Sequence, residues 1–169
     1  KGNITRIGPD CLNTPEICAV HDARVSPDGK LIAYTVAYGN TFTRTKAWAD
    51  GPFLPAIEFT GLRYEIGLYD IATKQNFLLE TNARQPDWCG NACLVFTSDR
   101  AGDYSPWSSA GNYYPMKSLH VYRADLADNK LSNIQPILPS KFCMNPTVAS
   151  DSRMYASCWE GFGERDYGH

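Results

Sequence analysis

Repeated antiparallel β-structure is the fold class that the sequence predicts, and three observations predict it. A phrase made of a β-prone stretch, a tight polar turn and an apolar, aromatic strand ending in Thr or Ser occurs three times, at 23–35, 86–97 and 146–157. Val25, Trp88 and Val148 hold the same place in that phrase, 63 and 60 positions apart, so the units are nearly equal. Two further segments, Tyr64 to Asp70 and Ser118 to Asp125, alternate with the period of two that marks a half-buried strand. Each leads through a polar turn to another apolar strand, Asn76 to Glu80 and Ser132 to Leu138. No segment has the pattern of a long amphipathic helix.

The order is therefore hairpin, loop, hairpin, and then the same again. Four antiparallel strands per repeat describe a β-propeller blade, for which about 40–45 residues are typical. The sequence predicts an all-β, partial β-propeller of about two and a half four-stranded antiparallel blades, with long aromatic-rich inter-strand loops. A β-sandwich also has many short strands, but it does not require a turn-and-strand phrase to recur in register. Residues 1–169 form one domain in this reading. Residues 1–20 are an entry segment, 21–83 the first blade unit, 84–143 the second, and 144–169 the start of a third.

The turns within the phrase follow from residue chemistry. In Pro27-Asp28-Gly29, proline presets its own φ and glycine tolerates a positive one. Gly90-Asn91 and Ser150-Asp151-Ser152 occupy the same place with weaker turn formers. The carboxylates of Asp28, Asp70 and Asp151 belong to turns, where such side chains bond nearby backbone. No oxygen-rich loop of calcium-binding pattern is present.

Six cysteines occur, at 11, 18, 89, 93, 143 and 158. In an antiparallel hairpin, residues equidistant from the turn lie opposite each other. Cys89 and Cys93 are equidistant from Asn91, and Cys143 and Cys158 stand opposite across the turn at Ser150 to Arg153. Both pairs suit disulfides, and Cys11 with Cys18 would close a small loop around Pro15. The alternative is metal binding, since Cys89 and Cys93 supply two thiols and Cys18 with His21 makes a half-site; a structural zinc needs four converging ligands. Disulfides imply an oxidising compartment, periplasmic or extracellular.

The long inserts lie between the second and third strands of each unit. Gly39 to Leu62 contains Phe42, Trp48, Phe53 and Phe59 among mixed charges, and Ala101 to Met116 contains Tyr104, Trp107, Tyr113 and Tyr114. Loops of this length in a compact repeat are usually functional or disordered, and Tyr and Trp dominate interface hot spots. Trp48, Phe53, Tyr104, Trp107, Tyr113 and Tyr114 are therefore the candidate partner-binding residues, against the plainer reading that they pack the loops onto the rim. Equivalent insertion points place both loops on one face.

Catalysis has little support in the residues. There is no Gly-x-Ser-x-Gly elbow. His21 and Asp22 are adjacent, and neighbours on a strand point to opposite faces, which argues against a dyad. His120 falls inside a predicted strand, and His169 is terminal. Arg24 and Arg100 read as salt-bridge or turn residues at blade edges. Asn3-Ile4-Thr5 matches the glycosylation triplet, which arises often by chance.

Arg24-Val25-Ser26-Pro27-Asp28-Gly29-Lys30-Leu31-Ile32-Ala33-Tyr34 resembles the repeat of TolB-like (PD40) six-bladed propellers, as does Leu94 to Arg100 followed by Leu119 to Asp125. The resemblance covers nearly all of residues 20–160. More narrowly, Phe96 to Gly102, Leu119 to Asp125 and Ser157-Cys158-Trp159-Glu160 resemble the propeller of hydrazine-synthase alpha-subunit-like proteins. That likeness implies an exported, haem-dependent redox complex whose covalent c-type haem lies outside the propeller. No cysteine here has the Cys-x-x-Cys-His spacing that such haem requires, so no cofactor is expected within these residues.

Composition narrows the partners. Sixteen Lys and Arg against 18 Asp and Glu give a formal charge of -2, which argues against nucleic acid. With 43% apolar and 20% charged residues the chain can build a core, and its longest apolar run, Leu31 to Tyr38, is far too short for a membrane span. The chain begins at Lys1 without a signal-peptide pattern, so it reads as a processed chain or a fragment. Its repeats are too few to close a ring, for which four or more blades are typical. The expected partner is a protein or the remainder of the propeller, and the expected function is a non-catalytic binding or scaffold module of an exported protein. Two alternatives remain: the redox-complex segment just described, and the gating propeller of a peptidase.

Overall fold

The computed structural model describes residues 4–11, 13, 17–39, 41–44, 57–60, 63–102, 119–137 and 142–159. These contain twelve strands and no helix: β1 (Ile17–Val25), β2 (Leu31–Gly39), β3 (Thr41–Arg44), β4 (Ile57–Thr60), β5 (Arg63–Asp70), β6 (Gln75–Thr81), β7 (Ala83–Gly90), β8 (Cys93–Ser98), β9 (His120–Ala127), β10 (Lys130–Pro136), β11 (Phe142–Val148) and β12 (Met154–Trp159). One four-stranded sheet has the order β1-β2-β5-β6 and a second runs β7-β8-β9-β10. A third begins as the β11-β12 pair, and every pairing is antiparallel. The chain is a partial propeller of two full blades and half of a third.

The first insert differs from the loop expected of it. It carries its own two-stranded hairpin, in which Thr41 to Arg44 pair with Thr60 to Ile57. Both strands are rich in β-branched and aromatic residues, a composition suited to a pleated surface, but each is only four residues long.

Strand alternation sets the packing. On β2 and β5, Ala33 and Leu68 face the second sheet and bury against Trp88, Leu94 and Leu126. Ile66 joins Ala83, Phe96, Tyr122 and Ala124 in an adjoining cluster, with Phe96 and Tyr122 stacked at 6.1 Å. The first strand of each later blade lies against the blade before it, β7 on β1, β2 and β5, and β11 on β7, β8 and β9. Each of these apolar side chains is almost fully removed from water, a gain of roughly 1.5–3 kcal/mol for a large one.

Hydrogen bonds stitch the blades together where the phrase repeats. The Trp88 indole donates to the Arg24 carbonyl at 2.9 Å. Asp87 accepts from the Trp88 amide at 2.9 Å within its own blade and from the Val148 amide of the next at 2.8 Å, while Arg24 of the previous blade lies 3.9 Å away. Asp87 therefore touches all three blades.

The three disulfides join the pairs expected: Cys11–Cys18, Cys89–Cys93 and Cys143–Cys158. Cys143 and Cys158 are direct partners in the β11–β12 register, with Cα atoms 4.1 Å apart. No thiol is left free, so the metal-binding alternative for these cysteines falls: a disulfide sulfur is not the thiolate that zinc requires. Three disulfides suit an oxidising environment. Among the described residues no helix is long and apolar enough to cross a membrane.

Candidate functional site

Tracing the meander fixes which end of the sheets carries what. β1 and β7 start at the end where β2 and β8 finish and where β5 and β9 begin. Both inserts leave and re-enter at that end. The opposite end holds the tight hairpin turns, where Asp28, Asp70 and Asp151 accept backbone amides of Lys30, Ala72 and Thr73, and Arg153. Hydrogen bonding from Ser26 holds the Asp28 carboxyl below its ordinary pKa, helped by Lys30.

Arginines stacked on aromatic rings mark the insert roots. Arg63, the first residue after the first insert, lies 4.2 Å from the Tyr38 ring centroid and 3.4 Å from Glu65. Arg100, at the root of the second insert, covers Phe96 and Tyr122 at 5.3 and 5.0 Å and pairs with Glu80 of the first blade at 3.0 Å. Its Nε and backbone amide both donate to Ser98 Oγ. Between them Arg84 stacks on Tyr64 at 4.6 Å, and its Nε is buried without a hydrogen-bond partner. A guanidinium on a ring face keeps its charge while burying its plane, an arrangement that also suits a partner's surface. Arg24 and Arg100 both form the salt bridges expected of them.

A second feature of the same end is a row of polar residues on the first strands. Asp22, Gln85 and Asn145 hold equivalent positions, and all three take a left-handed backbone, with φ of 53°, 56° and 52°. The strand register shifts there in each blade, so each is a β-bulge. Proline or alanine follows each one, and a bulge frees proline from the ladder bond it cannot donate. The row is linked across blades: Gln85 N donates to Thr35 Oγ1 at 2.8 Å and Asn145 N to Gln85 Oε1 at 3.2 Å.

The bulge corrects the reading of His21 and Asp22. Their side chains do meet, with His21 Nδ1 2.8 Å from Asp22 Oδ2. In a regular strand they would point apart, but the left-handed turn at Asp22 swings its carboxylate back to its neighbour. Thr35 Oγ1 also donates to that carboxylate, at 3.5 Å. This is an oriented imidazole–carboxylate pair, and both side chains are substantially exposed. Among the described residues, the one hydroxyl bonded to it, that of Thr35, is fully buried and already accepts the Gln85 amide, so it makes a poor nucleophile. His120 is buried in β9, in keeping with a packing role.

Trp48, Phe53, Tyr104, Trp107, Tyr113 and Tyr114 lie outside the described residues. Sequence reasoning passed over Arg63, Arg84, Gln85 and Asn145. Gln85 and Asn145 share repeat spacing with Asp22 and precede proline, a signal that was present in the sequence. Among the described residues, no group of three or more His, Cys, Asp or Glu is placed to hold a metal ion. With every cysteine in a disulfide, none remains to form the thioether bonds of a c-type haem. Comparison with protein families, curated proteins and solved structures finds no match for this chain.

Proposed function

We infer that the chain is a non-catalytic protein-binding or scaffold module of an exported protein, with the insert-bearing end as its docking surface. One observation carries this reading. Two aromatic-rich inserts are rooted at the same end of adjacent blades, and that end is studded with arginine–aromatic stacks. Tyr, Trp and Arg are the residue types in which binding energy concentrates. The disulfides support an exported setting.

The test is assembly of the native complex, recovered through a tag on the chain from its own source and quantified against total chain. Trp107→Ala with Tyr114→Ala should reduce recovery of the partner at least tenfold, and Arg84→Ala should reduce it measurably while leaving the circular dichroism unchanged. Undiminished recovery with the double variant would sink the reading. Haem absorbance in the recovered complex would identify the assembly as a redox complex of the kind the family resemblance implies.

A further inference from the structure

The repeat sets three residues at the same place in each blade: one on the first strand, the bulge residue after it, and a hydroxyl on the second strand. These are His21, Asp22 and Thr35 in the first blade, Arg84, Gln85 and Thr97 in the second, and Met144, Asn145 and Ser157 in the third. In each blade the first member and the hydroxyl are direct register partners. Side chains so opposed have Cβ atoms roughly 4.5–5.5 Å apart, close enough to bind one group between them.

The first blade shows what such a set holds. Its bulge residue is a carboxylate, with His21 Nδ1 2.8 Å from Asp22 Oδ2 and Thr35 Oγ1 donating to that oxygen at 3.5 Å. Thr35 is fully buried, yet Asp22 meets it while its own side chain is 37% exposed. A carboxylate at the surface therefore reaches a hydroxyl at this depth.

The second blade keeps both binding groups and lacks the carboxylate. Arg84 replaces the imidazole with a permanent cation, and Thr97 repeats Thr35. Gln85 stands where Asp22 does, but its carboxamide is uncharged and its Oε1 accepts the Asn145 amide at 3.2 Å. Arg84 Nε and Thr97 Oγ1 are both buried with no hydrogen-bond partner, and Thr97 is 0% exposed. The other insert-root arginines are neutralised by their own chain, Arg63 by Glu65 at 3.4 Å and Arg100 by Glu80 at 3.0 Å. Arg84 stacks on Tyr64 and pairs with no carboxylate among the described residues. Asp99, two residues beyond Thr97, has interactions of its own. In the third blade Met144 removes the cation. Among the described blades, then, only the second presents a cation and a hydroxyl with no carboxylate between them.

We propose that Arg84 and Thr97 form a carboxylate-binding site at the insert-bearing end of the second blade. The bound carboxylate takes the place that Asp22 holds in the first blade and accepts from Arg84 Nε and Thr97 Oγ1. A planar carboxylate matches the guanidinium fork, and Asp22 is the precedent within the same repeat. A small carboxylic acid and an acidic side chain of a protein partner present the same group. The site rests on the repeat and is independent of the docking surface proposed above.

NMR of the full chain tests this, with acetate as the probe and sodium chloride at equal ionic strength as the control. Acetate should shift the Arg84 Nε–H and Thr97 methyl resonances saturably, with a Kd on the order of 1–10 mM, and chloride should not. Thr97→Val, which removes an unmet polar group and should fold, weakens acetate binding about tenfold, as loss of a hydrogen bond to a charged group requires. Gln85→Asp supplies the carboxylate from within: it should abolish the acetate response and move the Arg84 Nε–H resonance to its acetate-bound position without acetate. The proposal is overturned if acetate gives no saturable shift up to about 100 mM, or if chloride shifts the same resonances equally. Native-like acetate binding by Thr97→Val or by Gln85→Asp overturns it as well. Recovery of the native complex separates the sources once acetate binds: a loss with Thr97→Val assigns the carboxylate to the protein partner, and full recovery assigns it to a free acid. Absent acetate binding with intact dependence of recovery on Trp107 and Tyr114 overturns this site alone and leaves the docking surface standing.

Discussion

Two threonines at equivalent places show how much a single hydroxyl depends on its partner. Thr35 Oγ1 accepts the Gln85 amide, whereas Thr97 Oγ1 is buried with no hydrogen-bond partner because Asn145 N turns to Gln85 Oε1 instead. Thr35→Val leaves a buried amide unsatisfied and should cost about 1–3 kcal/mol; Thr97→Val removes an unmet polar group and should be neutral or stabilising. Urea unfolding of the two variants measures the difference. Tyr34 gives a pH signature. Burial, with a smaller effect from Tyr38, pushes its hydroxyl up to about 12 from an ordinary 10.0. The folded state holds this proton more tightly than the unfolded state does. Its contribution is therefore complete below pH 10 and is lost as pH rises toward about 12. Tyr34→Phe should remove that part of the alkaline slope, read as the difference between the two unfolding curves. At this scale the sequence was partly legible. That each phrase ends in Thr or Ser was visible; which hydroxyl finds a donor depends on the next blade and was not.

Among the elements, the hairpins were the most legible, because cysteine positions and turn residues encode register locally. Cys143 and Cys158 stand opposite each other as their distances from the turn require. Removing that disulfide by paired alanine substitution opens a segment with a sequence separation of 15, which should cost about 3 kcal/mol; removing Cys89–Cys93, with a separation of 4, should cost about 2 kcal/mol. Thermal melts of the two double variants check the order. The bulges were less legible. Left-handed φ at Asp22, Gln85 and Asn145 reverses the side-chain direction that strict alternation assigns, and this is why the His21–Asp22 contact was misread. The β3–β4 hairpin escaped notice because four-residue strands carry too little periodicity to stand out from a loop.

For the whole molecule, the repeat spacing carried the architecture and the long inserts marked the end where function is proposed. The insert roots were not legible: Arg84 meets Tyr64 only because β7 lies against β5, a contact between blades. The same holds for Asp87, whose carboxylate serves all three blades. Asp87→Ala should destabilise the chain by about 2–3 kcal/mol, more than loss of an ordinary surface charge, since it strands the Val148 amide and the Trp88 amide together. The central claim is that successive blades pack face to face, each first strand lying on the blade before it. Nuclear Overhauser contacts of the Trp88 indole test it most directly. The account predicts contacts from Trp88 to the Ala33 and Leu68 methyls of the first blade, with a slowly exchanging indole N–H bonded to the Arg24 carbonyl. A Trp88 ring that contacts only its own sheet, with a freely exchanging indole, would contradict it.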